Sequence, residues 1–139
     1  MAKYRYYIGI DPGTNTGLAV WDSDNNKFLF IETLKIHRAI SIVDVYLKSY
    51  DSIFVRVEDA RQRKWFGADS KLKQQGAGSI KRDCSIWEDF LTDLGVDFEM
   101  VHPGRGMTKW KAETFKSTTK WEGRTDSHNR DAALLVYQK

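Results

Sequence analysis

One stretch near the start constrains the fold more than any other: Tyr6-Tyr7-Ile8-Gly9-Ile10-Asp11-Pro12-Gly13-Thr14-Asn15-Thr16-Gly17-Leu18-Ala19-Val20. Tyr4, Tyr6, Ile8 and Ile10 fall on one face at the period of two that a strand requires. Asp11 comes at the exit of that strand. Pro12-Gly13 predicts a sharp turn, because Pro presets φ and Gly accepts positive φ. Gly17 lets the chain re-enter a strand with no side chain beside Asp11. An acid at a strand end that faces a cleared space suits a metal ion or a phosphate. The competing use of such an Asp is to initiate an Asx-turn.

The pattern continues as strands Lys3 to Ile10, Thr16 to Trp21 and Lys27 to Thr33, with a polar turn over 22–26. In the third strand Phe28, Phe30 and Glu32 alternate with Leu29, Ile31 and Thr33. Short turns between three strands predict an antiparallel meander. Ile36, Ile40, Val43, Leu47 and Tyr50 then step by helical intervals. The apolar run Ile53-Phe54-Val55-Arg56-Val57 follows that helix, so it predicts a strand added through a crossover connection. It ends in a second acid, Glu58.

Asp59 to Gly78 reads as a basic loop, with Gly67, Gly76 and Gly78 as its breakers. Ser79 then caps a helix whose stripe is Ile80, Cys84, Trp87, Leu91 and Leu94, and Gly95 ends it. Val96 to Val101 is the fifth predicted strand. The segment 102–126 is irregular and basic, with a short helix expected around Lys109 to Phe115. The last helix starts near Asp126-Ser127, with Asp126 as N-cap, and runs through Tyr137. His128 and Asp131, three apart, share one face of it.

Asp11, Glu58, His128 and Asp131 thus form a candidate cluster of oxygen ligands with one imidazole. Such a set suits Mg²⁺ or Mn²⁺, and two ions would fit phosphodiester hydrolysis. Asp59 is expected to point away from Glu58, since strand side chains alternate. His37 and His102 are expected at the surface or behind the site.

Here the residues carry a resemblance. Ile8-Gly9-Ile10-Asp11-Pro12-Gly13-Thr14-Asn15-Thr16-Gly17 resembles the opening motif of RuvC-type Holliday junction resolvases, in the ribonuclease H-like superfamily. Val57-Glu58 resembles that family's second acidic strand end, and His128-Asn129-Arg130-Asp131-Ala132-Ala133-Leu134 its C-terminal helix. The segment 102–126 looks more like that of compact phage and mobile-element members. The resemblance covers nearly the whole chain. It implies an α/β, ribonuclease H-like fold in a single domain over 1–139: a five-stranded mixed sheet, three strands as an antiparallel meander and two by crossover, flanked by helices. It also implies a metal-dependent endonuclease, acting as a homodimer on four-way DNA junctions and leaving 5′-phosphate and 3′-hydroxyl ends. Asp11, Glu58, His128 and Asp131 would be its catalytic and metal-binding residues.

The formal net charge of +3 is only a weak push toward polyanions, so its distribution decides. Arg61, Arg63, Lys64, Lys71 and Lys73 surround Trp65 and Phe66, and Arg105, Lys109 and Lys111 lie beside Trp110, with Phe115 and Trp121 further on. Cations neutralise phosphates while aromatic rings stack on bases, so both segments are expected to contact nucleic acid. The one cysteine, Cys84, excludes an intrachain disulfide, and no apolar run reaches membrane-spanning length. With no signal-peptide pattern, a cytoplasmic location is the expectation. Three alternatives remain. One is a ribonuclease H-like nuclease on hybrids, flaps or single strands. A second is a non-catalytic nucleic-acid-binding relative, against which four intact candidate ligands argue. The third is an actin-like phosphotransferase, for which 139 residues leave no second lobe.

Overall fold

The computed structural model describes residues 2–62, 70–103 and 110–139, without the side chains of 62 and 70–77. The order of elements is β1 (Tyr6–Asp11), β2 (Asn15–Asp22), β3 (Lys27–Lys35), α1 (Ile36–Ser49), β4 (Ile53–Glu58), a 3₁₀ turn (Ala60–Gln62), α2 (Ser70–Leu94), β5 (Phe98–Val101), α3 (Ala112–Thr119) and α4 (Ser127–Leu134). The five strands form one mixed sheet in the order β3-β2-β1-β4-β5. β1, β2 and β3 pair antiparallel as the expected meander. β4 lies parallel to β1, and β5 parallel to β4. Each of the two parallel partners is reached through a helix, as a parallel pair requires.

Strand alternation sorts the apolar residues onto two faces. Ile8, Ile10, Leu18, Val20, Val55 and Val57 pack with Ala39 and Val43 of α1 and Trp87 and Leu91 of α2. Tyr7, Ala19, Trp21, Phe28 and Ile31 face the other way, against Phe115 of α3 and Ala132 and Ala133 of α4. The sheet is therefore the middle of three layers. Of the helical stripes read from sequence, Ile36, Ile40, Val43 and Leu47 of α1 and Trp87 and Leu91 of α2 face the first core, while the last members, Tyr50 and Leu94, are exposed. Full burial of each Leu, Ile or Val side chain contributes roughly 1.5–3 kcal/mol.

Several local expectations are corrected. Tyr4 precedes β1 and packs with Tyr7 and Phe54 on the face opposite Ile8 and Ile10. In β3 the alternation breaks: Trp21 pairs with Phe28 but Val20 pairs with Phe30, so Leu29 is an inserted bulge residue. Phe28 and Ile31 consequently share one face while Phe30 turns to the other. α2 begins at Ser70, so 70–78, including Gly76 and Gly78, is helix rather than loop, and Ser79 is not its cap. Two glycines weaken a helix by about 1 kcal/mol each relative to Ala, less than continuing 25 residues of cooperative helix returns. Gly95, with φ +67, ends it as expected. α3 starts three residues later than predicted, and α4 stops at Leu134.

Candidate metal centre

β1 and β4 run side by side and in the same direction, with Ile10 opposite Val57. The next residue of each strand is an acid, Asp11 and Glu58, so parallel pairing alone brings the two carboxylates to one sheet end. Both alternate onto the α4 face. Asp131 reaches them from that helix, and carboxylate oxygens of Asp11, Glu58 and Asp131 all lie within 4.8 Å of one another. Glu58 is buried, while Asp11 and Asp131 are half-buried. Three carboxylates so close repel one another, and a cation among them would relieve that repulsion. An all-oxygen donor set of this kind fits a hard divalent ion.

His128 lies at the mouth. Its side chain is 53% exposed and its Nδ1 stands 3.5 Å from Asp11 Oδ2, longer than a good hydrogen bond. It is thus a neighbour of Asp11, and the converging set itself is three carboxylates.

The seating of α4 depends on two glycines. A Cβ on Gly9 would overlap the carbonyl oxygen of Ala132, and one on Gly17 would overlap that of His128. The space beside Asp11 that Gly17 leaves open is therefore filled by the first turn of α4. Gly13, by contrast, does not adopt positive φ. A Cβ there would come 3.1 Å from Asn15 O, and Thr16 Oγ1 closes the turn by donating to Gly13 O at 2.7 Å.

Both ends of α4 are fastened. Asp126 caps it: the Asn129 N–H donates to Asp126 Oδ1, and the Asp126 N–H donates back to Asn129 Oδ1, each at 3.0 Å. Thr33 Oγ1 of β3 also donates to Asp126 Oδ1, at 2.7 Å. Partial burial pushes the Asp126 carboxyl up, but the Asn129 N–H, the Thr33 hydroxyl and the nearby His128 outweigh it and hold that carboxyl below its ordinary value. At the other end Arg56 Nη1 donates to Leu135 O at 2.5 Å, and its Nε donates to Glu99 at 2.6 Å. Asn129 and Arg56 were missed as positioning residues. Asn129 has the spacing of a capping box, three residues after Asp126, but not the Glu or Gln that marks one in a sequence; Arg56 carries no signal, because Leu135 is distant in the chain.

Asp59 points away from Glu58, as strand alternation predicts, and is buried. Arg61 grips it with Nε and Nη2, at 2.8 and 3.1 Å, and grips Glu88 of α2 with Nη1 and Nη2, at 3.1 and 3.3 Å. These hydrogen bonds, to Asp59 first and Glu88 second, push the guanidinium still higher than its ordinary value. Arg61, expected on a nucleic-acid surface, is instead committed to tying the exit of β4 to α2. The aromatic residues of the second basic segment are also core rather than free platforms: Phe115 is fully buried, and Trp110 and Trp121 pack against the same cluster. Lys111 is exposed at the start of α3. Arg63, Lys64, Trp65, Phe66, Arg105 and Lys109, and the side chains of Lys71 and Lys73, lie outside the described residues. His37 and His102 are exposed, and Cys84 is core. Among the described residues no helix is long and apolar enough to cross a membrane.

No protein-family model and no curated protein sequence matches the chain.

Proposed function

We propose that the chain is a metal-dependent endonuclease of the ribonuclease H-like kind, resembling RuvC-type resolvases, that hydrolyses phosphodiesters in four-way DNA junctions. The observation that carries the reading is the convergence of Asp11, Glu58 and Asp131 within 4.8 Å, from two parallel strand ends and one helix. The strand order, with its meander and two parallel additions, supports the same reading. The choice of junctions over hybrids or flaps rests on the resemblance of the residue 8–17 motif, as does the homodimer.

Asp11, Glu58 and Asp131 would hold Mg²⁺ or Mn²⁺, in two sites, and these ions would supply charge neutralisation and an acidified water. The chain's own part is orientation. Pairing with Val101 O through the Asp59 N–H, and the Arg61 clamp behind it, fix the backbone that presents Glu58. The capping box and Arg56 fix the helix that presents Asp131. His128, exposed and 3.5 Å from Asp11 Oδ2, borders that acid.

The test is incubation of a labelled four-way junction with the protein in Mg²⁺ or Mn²⁺, alongside a hybrid, a flap and a plain duplex, with the cuts mapped. Symmetric cuts near the branch point, with 5′-phosphate and 3′-hydroxyl ends, are expected. Asp11→Asn should abolish cleavage while keeping junction binding, and Glu58→Gln and Asp131→Asn should behave alike. An Asp11→Asn protein that cuts at the wild-type rate would refute the site.

A further inference from the structure

Sequence pattern assigns two basic segments, 59–78 and 102–126, to nucleic acid, and Arg61 of the first is committed elsewhere. In the second, Lys116, Lys120 and Arg124 are exposed. Lys120 takes a left-handed conformation, φ +65, so the chain reverses after α3 and 121–125 folds back along that helix. Between them is a cleft of about 340 Å³ whose lining includes Lys116, Trp121, Glu122, Arg124 and Thr125. It shares Lys116 and Glu122 with a second cleft, of about 420 Å³, that adds Lys120 and Glu113.

The wall is firmly built. Trp121 packs against the α3/α4 core, and its backbone N–H donates to Thr119 Oγ1 at 3.3 Å. Gly123 lies flat on the indole, where a Cβ would come 2.8 Å from Nε1. Thr125 Oγ1 accepts a hydrogen bond from Arg130 Nη1 at 2.8 Å, so its own proton stays available to an acceptor. Thr125 is three residues ahead of His128, which limits their Cα separation to about 11 Å. Thr125, which lines the cleft, is thus near in the chain to His128, whose Nδ1 stands 3.5 Å from Asp11 Oδ2.

We infer that this cleft is a subsite for the phosphodiester backbone of the strand being cut, with Lys116 and Arg124 supplying charge and Thr125 a hydroxyl donor. The inference extends the nuclease reading and rests on it. Glu113 and Glu122 share the rim, so the subsite is not a uniform cationic patch, and this gives a prediction of opposite sign.

The test uses the Asp11→Asn protein, which binds without cutting, and fluorescence anisotropy of a labelled four-way junction across a salt series. K116A/R124A should flatten the slope of log affinity against log salt by about 2, close to one unit for each lost phosphate contact. K116R/R124K should keep the parent slope. Glu122→Gln should tighten binding several-fold at low salt, an effect that damage to the fold would not produce. An unchanged slope in K116A/R124A, or unchanged affinity in Glu122→Gln, would overturn the subsite. If the slope responds but the wild-type protein cuts no nucleic acid in Mg²⁺ or Mn²⁺, the nuclease reading fails and the phosphate subsite stands.

Discussion

On the face covered by α1 and α2, sheet and helices are held apart by bulky side chains: Ile8, Ile10, Val55 and Val57 meet Val43, Trp87 and Leu91. On the opposite face α4 lies on Gly9 and Gly17, with its backbone carbonyls where side chains would otherwise be. The first face gains stability from buried volume. The second gives up side-chain volume so that a helix can approach the strands closely enough for Asp131 to meet Asp11 and Glu58. The second face has its own core around Tyr7, Trp21 and Phe28, but where α4 crosses Gly9 and Gly17 it is packed for position. A change of similar size should read out differently there than among the bulky contacts of the first face.

Trp87→Ala removes a large, fully buried side chain from the first face and should destabilise the protein by about 3–5 kcal/mol. Per folded molecule, cleavage should be unchanged. Gly17→Ala and Gly9→Ala should each destabilise by about 1–3 kcal/mol, as overpacking does, yet should lower the cleavage rate per folded molecule sharply, because the added methyl lifts α4. Denaturant melts combined with single-turnover cleavage separate the two effects. If Gly17→Ala loses stability but keeps the wild-type rate per folded molecule, the distinction between the faces collapses.

The second way to sharpen the contrast is His128, on the positioning face but outside the three converging carboxylates. As a metal ligand it should show a defect that metal repairs: His128→Ala should lose most activity at low Mn²⁺ or Mg²⁺ and regain part of it at high concentration. His128→Asp should keep substantial cleavage and shift preference toward Mg²⁺, the ion that favours oxygen. Metal titration of the rate for the three proteins decides. Parallel curves for wild type and His128→Ala would leave Asp11, Glu58 and Asp131 as the whole ligand set.

How much of this was legible in the sequence follows from the range of the forces involved. β1, β4 and their terminal acids were readable because period-two alternation and strand ends are local signals. Asp126 as a cap was readable for the same reason. The Leu29 bulge was not, since a single inserted residue leaves the apolar composition of β3 unchanged. Arg61 looked like a free cation because its second partner, Glu88, lies 27 residues away. Trp110, Phe115 and Trp121 looked like stacking platforms because only the tertiary fold lays α3 over Phe28 and Tyr137. Gly17 was read as clearing room for a ligand beside Asp11, whereas the first turn of α4, from the far end of the chain, occupies that room.

The smallest expected effect concerns the cap that fastens α4 and, through it, Asp131. Asp126→Ala removes the acceptor for the Asn129 N–H and the Thr33 hydroxyl, and should destabilise by about 1 kcal/mol. Asp126→Asn keeps an acceptor oxygen and should recover most of that loss. The two also differ in pH dependence. The folded Asp126 carboxyl titrates below its unfolded counterpart, so its contribution is fully present above the unfolded pKa. It is lost as pH falls through the depressed folded value. Wild type should therefore lose stability over that acid window relative to Asp126→Asn, whose cap does not titrate, and the two should run parallel at neutral pH. Urea melts of wild type, Asp126→Asn and Asp126→Ala from neutral pH down into that window measure this directly. A stability gap between wild type and Asp126→Asn that stays constant throughout would mean that hydrogen bonding at the cap, and not its charge, seats the helix that carries Asp131.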